Sequence, residues 1–84
     1  MTFEELGFLA LKNSYNQEAI NIFQRGLEKE KSAKGFIGLG LALYNLEDYP
    51  TARWAFHKAS ELAPENKEIL IHICNTEKIG RAHV

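Results

Sequence analysis

Hydrophobic residues recur along this 84-residue chain with the three- and four-residue spacing of amphipathic helices, and almost no stretch alternates with the period of a strand. The first predicted helix begins after Thr2, because Thr2 and Glu5 have the spacing of a capping box. A polar break at residues 13–16 ends this helix, and a second helix with one apolar face follows. The pattern therefore predicts short helices joined by turns.

Three more helices are predicted in the second half of the chain. Ser32 is the candidate N-cap of the third helix. Pro50 suits the first turn of the fourth helix, and Pro64 stops that helix. Asn66 is placed to cap a fifth helix, which Gly80 is expected to end. The predicted apolar side of this last helix comprises Ile69, Leu70, Ile73 and Cys74.

The chain also resembles itself at a shift of 33 residues. The aligned positions are Phe3 with Phe36, Leu6-Gly7 with Leu39-Gly40, Ala19 with Ala52, and Phe23 with Phe56. A fixed period of this length is typical of repeat proteins, in which each repeat is one supersecondary unit. Large residues align with large ones and small residues with small ones, so one helix–turn–helix unit is present twice.

The second unit resembles a tetratricopeptide repeat (TPR). The family's pattern is matched by Phe36, Leu39, Gly40, Ala52, Phe56, Ala59 and Pro64. The first unit matches less completely, because Gly26 replaces an alanine and Lys31 stands in place of the proline. The resemblance implies an all-α fold, a TPR-like helical solenoid of two helix–turn–helix repeats plus a fifth solvating helix. It also implies that the two helices of a unit cross closely at Gly7 and Gly40, with small residues such as Ala52 and Ala59 completing the contact. One domain, residues 1–84, would contain repeat one (about 2–32), repeat two (about 33–66) and a capping helix (about 67–80).

Charge and hydropathy narrow the classes of partner. Ten basic and eleven acidic residues give a formal net charge of −1, so no basic field favours nucleic acid. The acidic N-terminus lacks the pattern of a signal peptide. The longest apolar stretch, residues 36–46, is about half the roughly 20 residues that a membrane-spanning helix needs. We therefore expect no membrane association and, by default, a cytoplasmic location.

Residues suited to catalysis or metal binding do not converge in this sequence. His57 falls on the outer face of the fourth helix, and His83 falls in the tail. His72 and Cys74 are two residues apart on one helix, so they point in different directions and do not chelate one metal ion. Cys74, the single cysteine, is expected to be buried and inert. We expect no enzymatic activity, no metal ion and no cofactor.

Repeats of this kind stack into a superhelix with an extended concave face. The resemblance implies that the first helix of each unit lines this face, which would form a groove that is apolar at its centre. Helical spacing gives the groove residues as Phe8, Leu11, Lys12, Lys34, Ile37, Gly38, Leu41, Tyr44, Asn45, Ile71, His72 and Asn75. We expect a non-enzymatic adaptor or chaperone-like module that binds an apolar or amphipathic helical segment of a partner protein. The carboxylate clamp known in this family is not expected, because only Lys34 has the required charge.

Two positions have two interpretations each. Gly38, in the middle of the predicted groove, either lets a bound segment approach the helix backbone or is a packing glycine. Trp54 stands where such repeats usually have a charged residue, and it either anchors an interface or packs over the neighbouring repeat. The alternative function is structural: the groove or Trp54 joins two copies in a homodimer, or the chain is a piece of a longer repeat array.

Overall fold

A computed structural model of the chain describes residues 1–82, with side chains through Glu77. These residues form five helices and no strand: α1 (Phe3–Lys12), α2 (Asn16–Lys29), α3 (Ala33–Asn45), α4 (Tyr49–Leu62) and α5 (Lys67–Ala82). Consecutive helices pack against each other, and α1 also contacts α3. The all-α prediction is confirmed, and the arrangement is repeat-like: one helix pair (α1 and α2) is followed by a second (α3 and α4) and by α5.

Side-chain caps begin α1, α3 and α5 at the residues that the sequence predicted. In α1 the N–H of Glu5 donates to Thr2 Oγ1 at 3.2 Å. In α3 the N–H of Gly35 donates to Ser32 Oγ at 3.0 Å, and in α5 the N–H of Glu68 donates to Asn66 Oδ1 at 3.0 Å. Pro50 lies in the first turn of α4, as expected. The predicted end of α5 at Gly80 was wrong, because the helix continues to Ala82. A glycine that stops a helix commonly takes a left-handed conformation, whereas a glycine inside a helix costs about 1 kcal/mol relative to alanine.

The turns within the two helix pairs share one backbone geometry. Ser14 after α1 and Glu47 after α3 both have left-handed conformations, with φ angles of 66° and 63°. The N–H groups of Tyr15 and Asp48 donate to carbonyl groups five residues earlier, at 2.8 and 2.9 Å, which satisfies the C-terminal ends of α1 and α3. Ser14 and Glu47 are 33 residues apart. The repeat in the sequence is therefore also a repeat of conformation.

Within each pair the helices cross where a glycine lies beneath a phenylalanine ring. A Cβ atom added to Gly7 would lie 2.5 Å from Cζ of Phe23, and one added to Gly40 would lie 2.5 Å from Cε1 of Phe56. Interiors are close-packed, so neither position has room for a side chain unless the helices separate. The prediction of close crossings at Gly7 and Gly40 is confirmed, although the close neighbour is a phenylalanine ring rather than the expected alanines.

The core lies between the helix pairs and continues to α5. Its largest fully buried side chains include Phe23, Phe56 and Ile69. Burying a large apolar side chain contributes roughly 1.5–3 kcal/mol, so these residues fix how the helices stack. No helix within residues 1–82 combines the length and the apolar character that crossing a membrane requires.

One side of α5 differs from the sequence-based expectation. Ile69 and Ile73 are buried as expected, but Cys74 is exposed and Leu70 is 52% exposed. The prediction of a buried Cys74 was wrong, because no helix in the described part of the chain packs over this side of α5. Thr76 takes the third buried position, where its hydroxyl donates to the Ile73 carbonyl at 2.8 Å.

Candidate functional site

Six residues from three helices enclose a pocket of about 270 Å³. They are Leu41, Tyr44 and Asn45 of α3, Phe56 of α4, and His72 and Asn75 of α5. Steps of three and four residues return to the same side of a helix, which is why these side chains share one face of α3 and one face of α5. Five of the six belong to the predicted groove. The structure therefore brings together the part of that groove that α3 and α5 provide.

The inner wall of the pocket is a stack of two rings. The His72 imidazole lies nearly parallel to the Phe56 ring, with centroids 5.0 Å apart and planes inclined by 16°. Phe56 is only 1% exposed, whereas His72 is half-buried. The imidazole therefore covers an apolar ring while part of the His72 residue stays accessible. Sequence reasoning assigned Phe56 to the packing of its repeat and missed its second role as a wall of the pocket.

Polar groups at the rim are held by neighbours on other helices. Asn45 Nδ2 donates to Asn16 Oδ1 at 3.1 Å, which ties the end of α3 to the start of α2. The Tyr44 ring meets the Tyr49 ring edge-on, with centroids 5.4 Å apart. Desolvation raises the pKa of the Tyr49 phenol above its ordinary value, and the Glu47 carboxylate and Tyr44 add to the rise. This part of the rim is therefore polar, and the Tyr49 phenol is uncharged at neutral pH.

The other predicted groove residues lie outside this pocket. Phe8 is half-buried and meets the Phe23 ring edge-on, with centroids 5.3 Å apart. Leu11 and Ile37 are half-buried against the core. Three further groove residues outside the pocket, Lys12, Lys34 and Ile71, are exposed. The half-buried residues therefore present part of an apolar surface on α1 and α3, next to the pocket but not within it.

Gly38 does not contribute an open stretch of backbone to the groove. It is buried, and a Cβ atom added there would collide with the Phe23 ring. That ring lies between Gly7 of α1 and Gly38 of α3. The interpretation that Gly38 admits a bound segment to the helix backbone is therefore wrong, and the alternative of a packing glycine is confirmed.

Trp54 lies on a different surface, which α2, α3 and α4 form together. Its ring is 50% exposed and meets the Phe36 ring edge-on, with centroids 5.9 Å apart. With side chains of α2 that include Gln24 and Leu27, it lines a crevice of about 450 Å³. Trp54 thus packs on Phe36 of its own helix pair and faces a crevice that it shares with α2, and half of its surface is accessible.

The histidine and cysteine side chains have different surroundings. His72 packs on Phe56, whereas Cys74 and His57 are exposed. His83 lies outside the described residues. Through Glu77, no group of three or more His, Cys, Asp or Glu side chains is arranged to hold a metal ion.

The chain matches no protein-family model and no curated protein sequence. The resemblance to TPRs therefore depends on the residues that carry it, above all the Leu-Gly pairs at Leu6-Gly7 and Leu39-Gly40.

Proposed function

We propose that this chain is a TPR-like interaction module that binds an apolar or amphipathic helical segment of another protein and performs no chemistry itself. The observation that supports the proposal is the pocket between α3 and α5, where Leu41 and Phe56 are joined by amide, phenol and imidazole groups. Apolar walls with a few polar groups bind by burial, and the polar groups orient what is bound.

The size of the pocket favours a side chain over a whole small molecule. Its volume of about 270 Å³ lies below the roughly 300–1,000 Å³ of typical small-molecule sites. One or two apolar side chains of a protein segment would fill it. Each contributes roughly 1.5–3 kcal/mol before the entropy of ordering is subtracted, so binding needs contacts beyond this pocket.

Further contacts are offered by half-buried apolar residues of α1 and α3. Phe8, Leu11 and Ile37 each leave part of their surface accessible, and α1 packs directly on α3. An amphipathic helix presents apolar side chains at intervals of three and four residues. One such side chain in the pocket and others along α1 and α3 would together give an affinity of about 1 μM.

The proposal is tested by affinity capture from the native source, with the wild type and Leu41→Glu as baits. Leu41 is a half-buried wall of the pocket, so a bound apolar segment would desolvate the new carboxylate and binding would be lost. Asn75→Arg is a second variant, because Asn75 is exposed at the rim and its replacement does not disturb the core. The matched control is Leu62→Glu, since Leu62 is 49% exposed on α4 and does not line the pocket.

The expected result is one polypeptide that the wild type and Leu62→Glu retain and that both pocket variants lose. Circular dichroism of each bait shows whether its helices are intact, and calorimetric titration of the captured segment gives its affinity. If all four baits retain the same proteins, the pocket is not the binding site and the proposal is overturned.

The second candidate function is structural, and the exposed half of Trp54 favours it. An aromatic ring above an apolar crevice is a typical anchor of a protein interface. In this alternative, two copies associate through Trp54 or through the groove itself. Light scattering of the wild type, Trp54→Ala and Leu41→Glu separates the two functions. If Trp54→Ala or Leu41→Glu abolishes the dimer, the result supports the structural function. If the dimer survives both changes, it forms through another surface and the groove is free to bind a partner.

A further inference from the structure

One exposed flank of α5, next to its buried residues, carries a regular stripe. The α5 stripe consists of Lys67, Leu70, Cys74 and Glu77, whose spacing places them on one face of a helix. All four residues are exposed, and Leu70 is 52% exposed. The stripe lies on a different side of α5 from the buried residues Ile69, Ile73 and Thr76, and it shares no residue with the pocket.

The two helix pairs show what covers the equivalent face of a first helix. Helix α3 begins at Ala33 and α5 at Lys67, so a shift of 34 residues places Phe36 on Leu70 and Gly40 on Cys74. Phe36 and Gly40 are buried, with the Phe56 ring of α4 directly over Gly40. Helix α2 covers Gly7 of α1 in the same way. On α5, no helix within residues 1–82 takes this place.

Cys74 has a side chain where the equivalent Gly40 has none, so a helix that covers the α5 stripe must differ from α4 at this contact. A Cβ atom at Gly40 would already lie 2.5 Å from the Phe56 ring, so a helix that crosses at Cys74 with a phenylalanine would collide. The occupant instead needs a small residue next to a larger apolar one, so that large packs against small. Helix α5 itself has this combination in Leu70 and Cys74.

We propose that two copies of this chain pair through their α5 stripes. The two α5 helices lie antiparallel, and the two-fold axis of the pair passes midway between Leu70 and Cys74. In this register Leu70 of each copy packs on Cys74 of the other. Lys67 then lies opposite Glu77 at both ends of the contact. The interface is isologous, as in most dimers, and uses the same four residues twice.

Charge determines the orientation of the pair. The antiparallel register places Lys67 and Glu77 opposite each other twice, and both are exposed in the single chain. A parallel pairing would place lysine against lysine and glutamate against glutamate. Like charges across an interface disfavour the wrong arrangement more than opposite charges strengthen the right one, so the charges act mainly on specificity.

The contact between the two α5 stripes is small, so the predicted affinity of the dimer is low. Four residues from each copy are far fewer than the roughly 20–30 per partner of a standard interface. We therefore expect weak pairing that depends on concentration, rather than an obligate dimer.

The first test is sedimentation equilibrium of the whole chain, with reductant present so that Cys74 forms no disulfide. The wild type is expected to dimerise as its concentration rises toward about 1 mM. Leu70→Glu should abolish the dimer, whereas Leu6→Glu, at a 44% exposed leucine of α1, should leave it unchanged. A wild type that stays monomeric, or a dimer that Leu70→Glu does not weaken, overturns the proposal.

The second test exchanges the charges. Lys67→Glu and Glu77→Lys should each weaken the dimer at least about threefold, because each replaces two attractions by two repulsions. The double variant restores opposite charges and should return to within about twofold of the wild type. A double variant as weak as the single ones contradicts the register. Neither residue lines the pocket, so the proposed function at Leu41 fails or stands independently of this result.

Discussion

Phe23 and Phe56 occupy equivalent positions in the two helix pairs, but different residues cover them. Each ring lies over a glycine of its own pair, Gly7 or Gly40. On its other side Phe23 meets Gly38 of α3, whereas Phe56 meets the imidazole of His72 on α5. The first ring is therefore surrounded by two glycine backbones and the Phe8 ring, while the second is covered by backbone at Gly40 and by the polar side chain of His72.

This difference indicates where function can arise in a repetitive fold. The contact between a phenylalanine ring and a glycine is the same in both pairs, and we assign it to stability. The candidate binding pocket lies at the position where glycine is replaced by histidine, because only a side chain provides a wall that is apolar on one face and polar at its edge. A departure from the repeat is thus more informative about function here than the repeat itself.

The largest expected effect comes from removing either ring. Phe23→Ala and Phe56→Ala should each lower the free energy of unfolding by about 3–5 kcal/mol, a large part of the roughly 4–13 kcal/mol expected for a domain of this size. Phe23→Ala should cost more, because it removes contacts with Gly7, Gly38 and the Phe8 ring, and the two glycine backbones cannot move into the cavity. His72 can turn into the cavity that Phe56→Ala leaves. Urea denaturation of both variants measures the difference, and equal losses would contradict this account.

The next effect comes from adding a side chain at Gly38, where the Phe23 ring leaves no room for one. Gly38→Ala gains about 1 kcal/mol of helix propensity but pushes a Cβ atom into the Phe23 ring, and overpacking costs about 1–3 kcal/mol. The added Cβ atom would lie closer to Cζ of Phe23 than van der Waals contact allows, so we expect a cost near the upper end of this range and a net loss of up to about 2 kcal/mol. Gly35→Ala in the same helix is the control, because its closest neighbour is the end of the flexible Leu27 side chain at 2.9 Å. Thermal unfolding should show a clear loss for the first variant and little or none for the second. The reverse order would show that Gly38 is not closed by Phe23.

Much of the fold was predictable because its signals are local. Caps at Thr2, Ser32 and Asn66 act within three residues, and the apolar spacing of each helix is set by its own period. The close crossings at Gly7 and Gly40 were also predictable, since a repeated Leu-Gly pair indicates a repeated contact.

The candidate site was less predictable, because spacing shows which side chains share a face but not what lies opposite. Gly38 shares the groove face of α3 in the sequence, yet Phe23 from α2 closes it. Cys74 shares an apolar side with Ile73, yet the two differ in exposure because the neighbouring helices cover only part of α5. Both errors arise from contacts between helices, which no single periodic pattern contains.

A smaller effect is expected at His72, the half-buried residue that stacks on Phe56. His72→Ala removes a ring stack worth about 0.5–1.5 kcal/mol, and part of this loss is offset by the higher helix propensity of alanine. We expect a loss of about 0.5–1 kcal/mol in unfolding free energy. His72→Phe keeps the stack and serves as the control for stability. Thermal unfolding distinguishes the variants, and a His72→Ala variant as stable as the wild type would show that the imidazole contributes only to the pocket.

An effect of similar size, but of opposite sign, is expected at the turns, where the two helix pairs are alike. Ser14 and Glu47 have left-handed backbones, which cost a residue with a side chain about 1–2 kcal/mol relative to glycine. Glycine loses more chain entropy on folding, by about 0.5–1 kcal/mol, so Ser14→Gly and Glu47→Gly should each raise the unfolding free energy by about 0.5–1 kcal/mol. Because the two turns share φ and hydrogen bonding, the two gains should be equal within error in urea denaturation. A gain at one turn only would show that the pairs differ in their turns as well as in what covers Phe23 and Phe56.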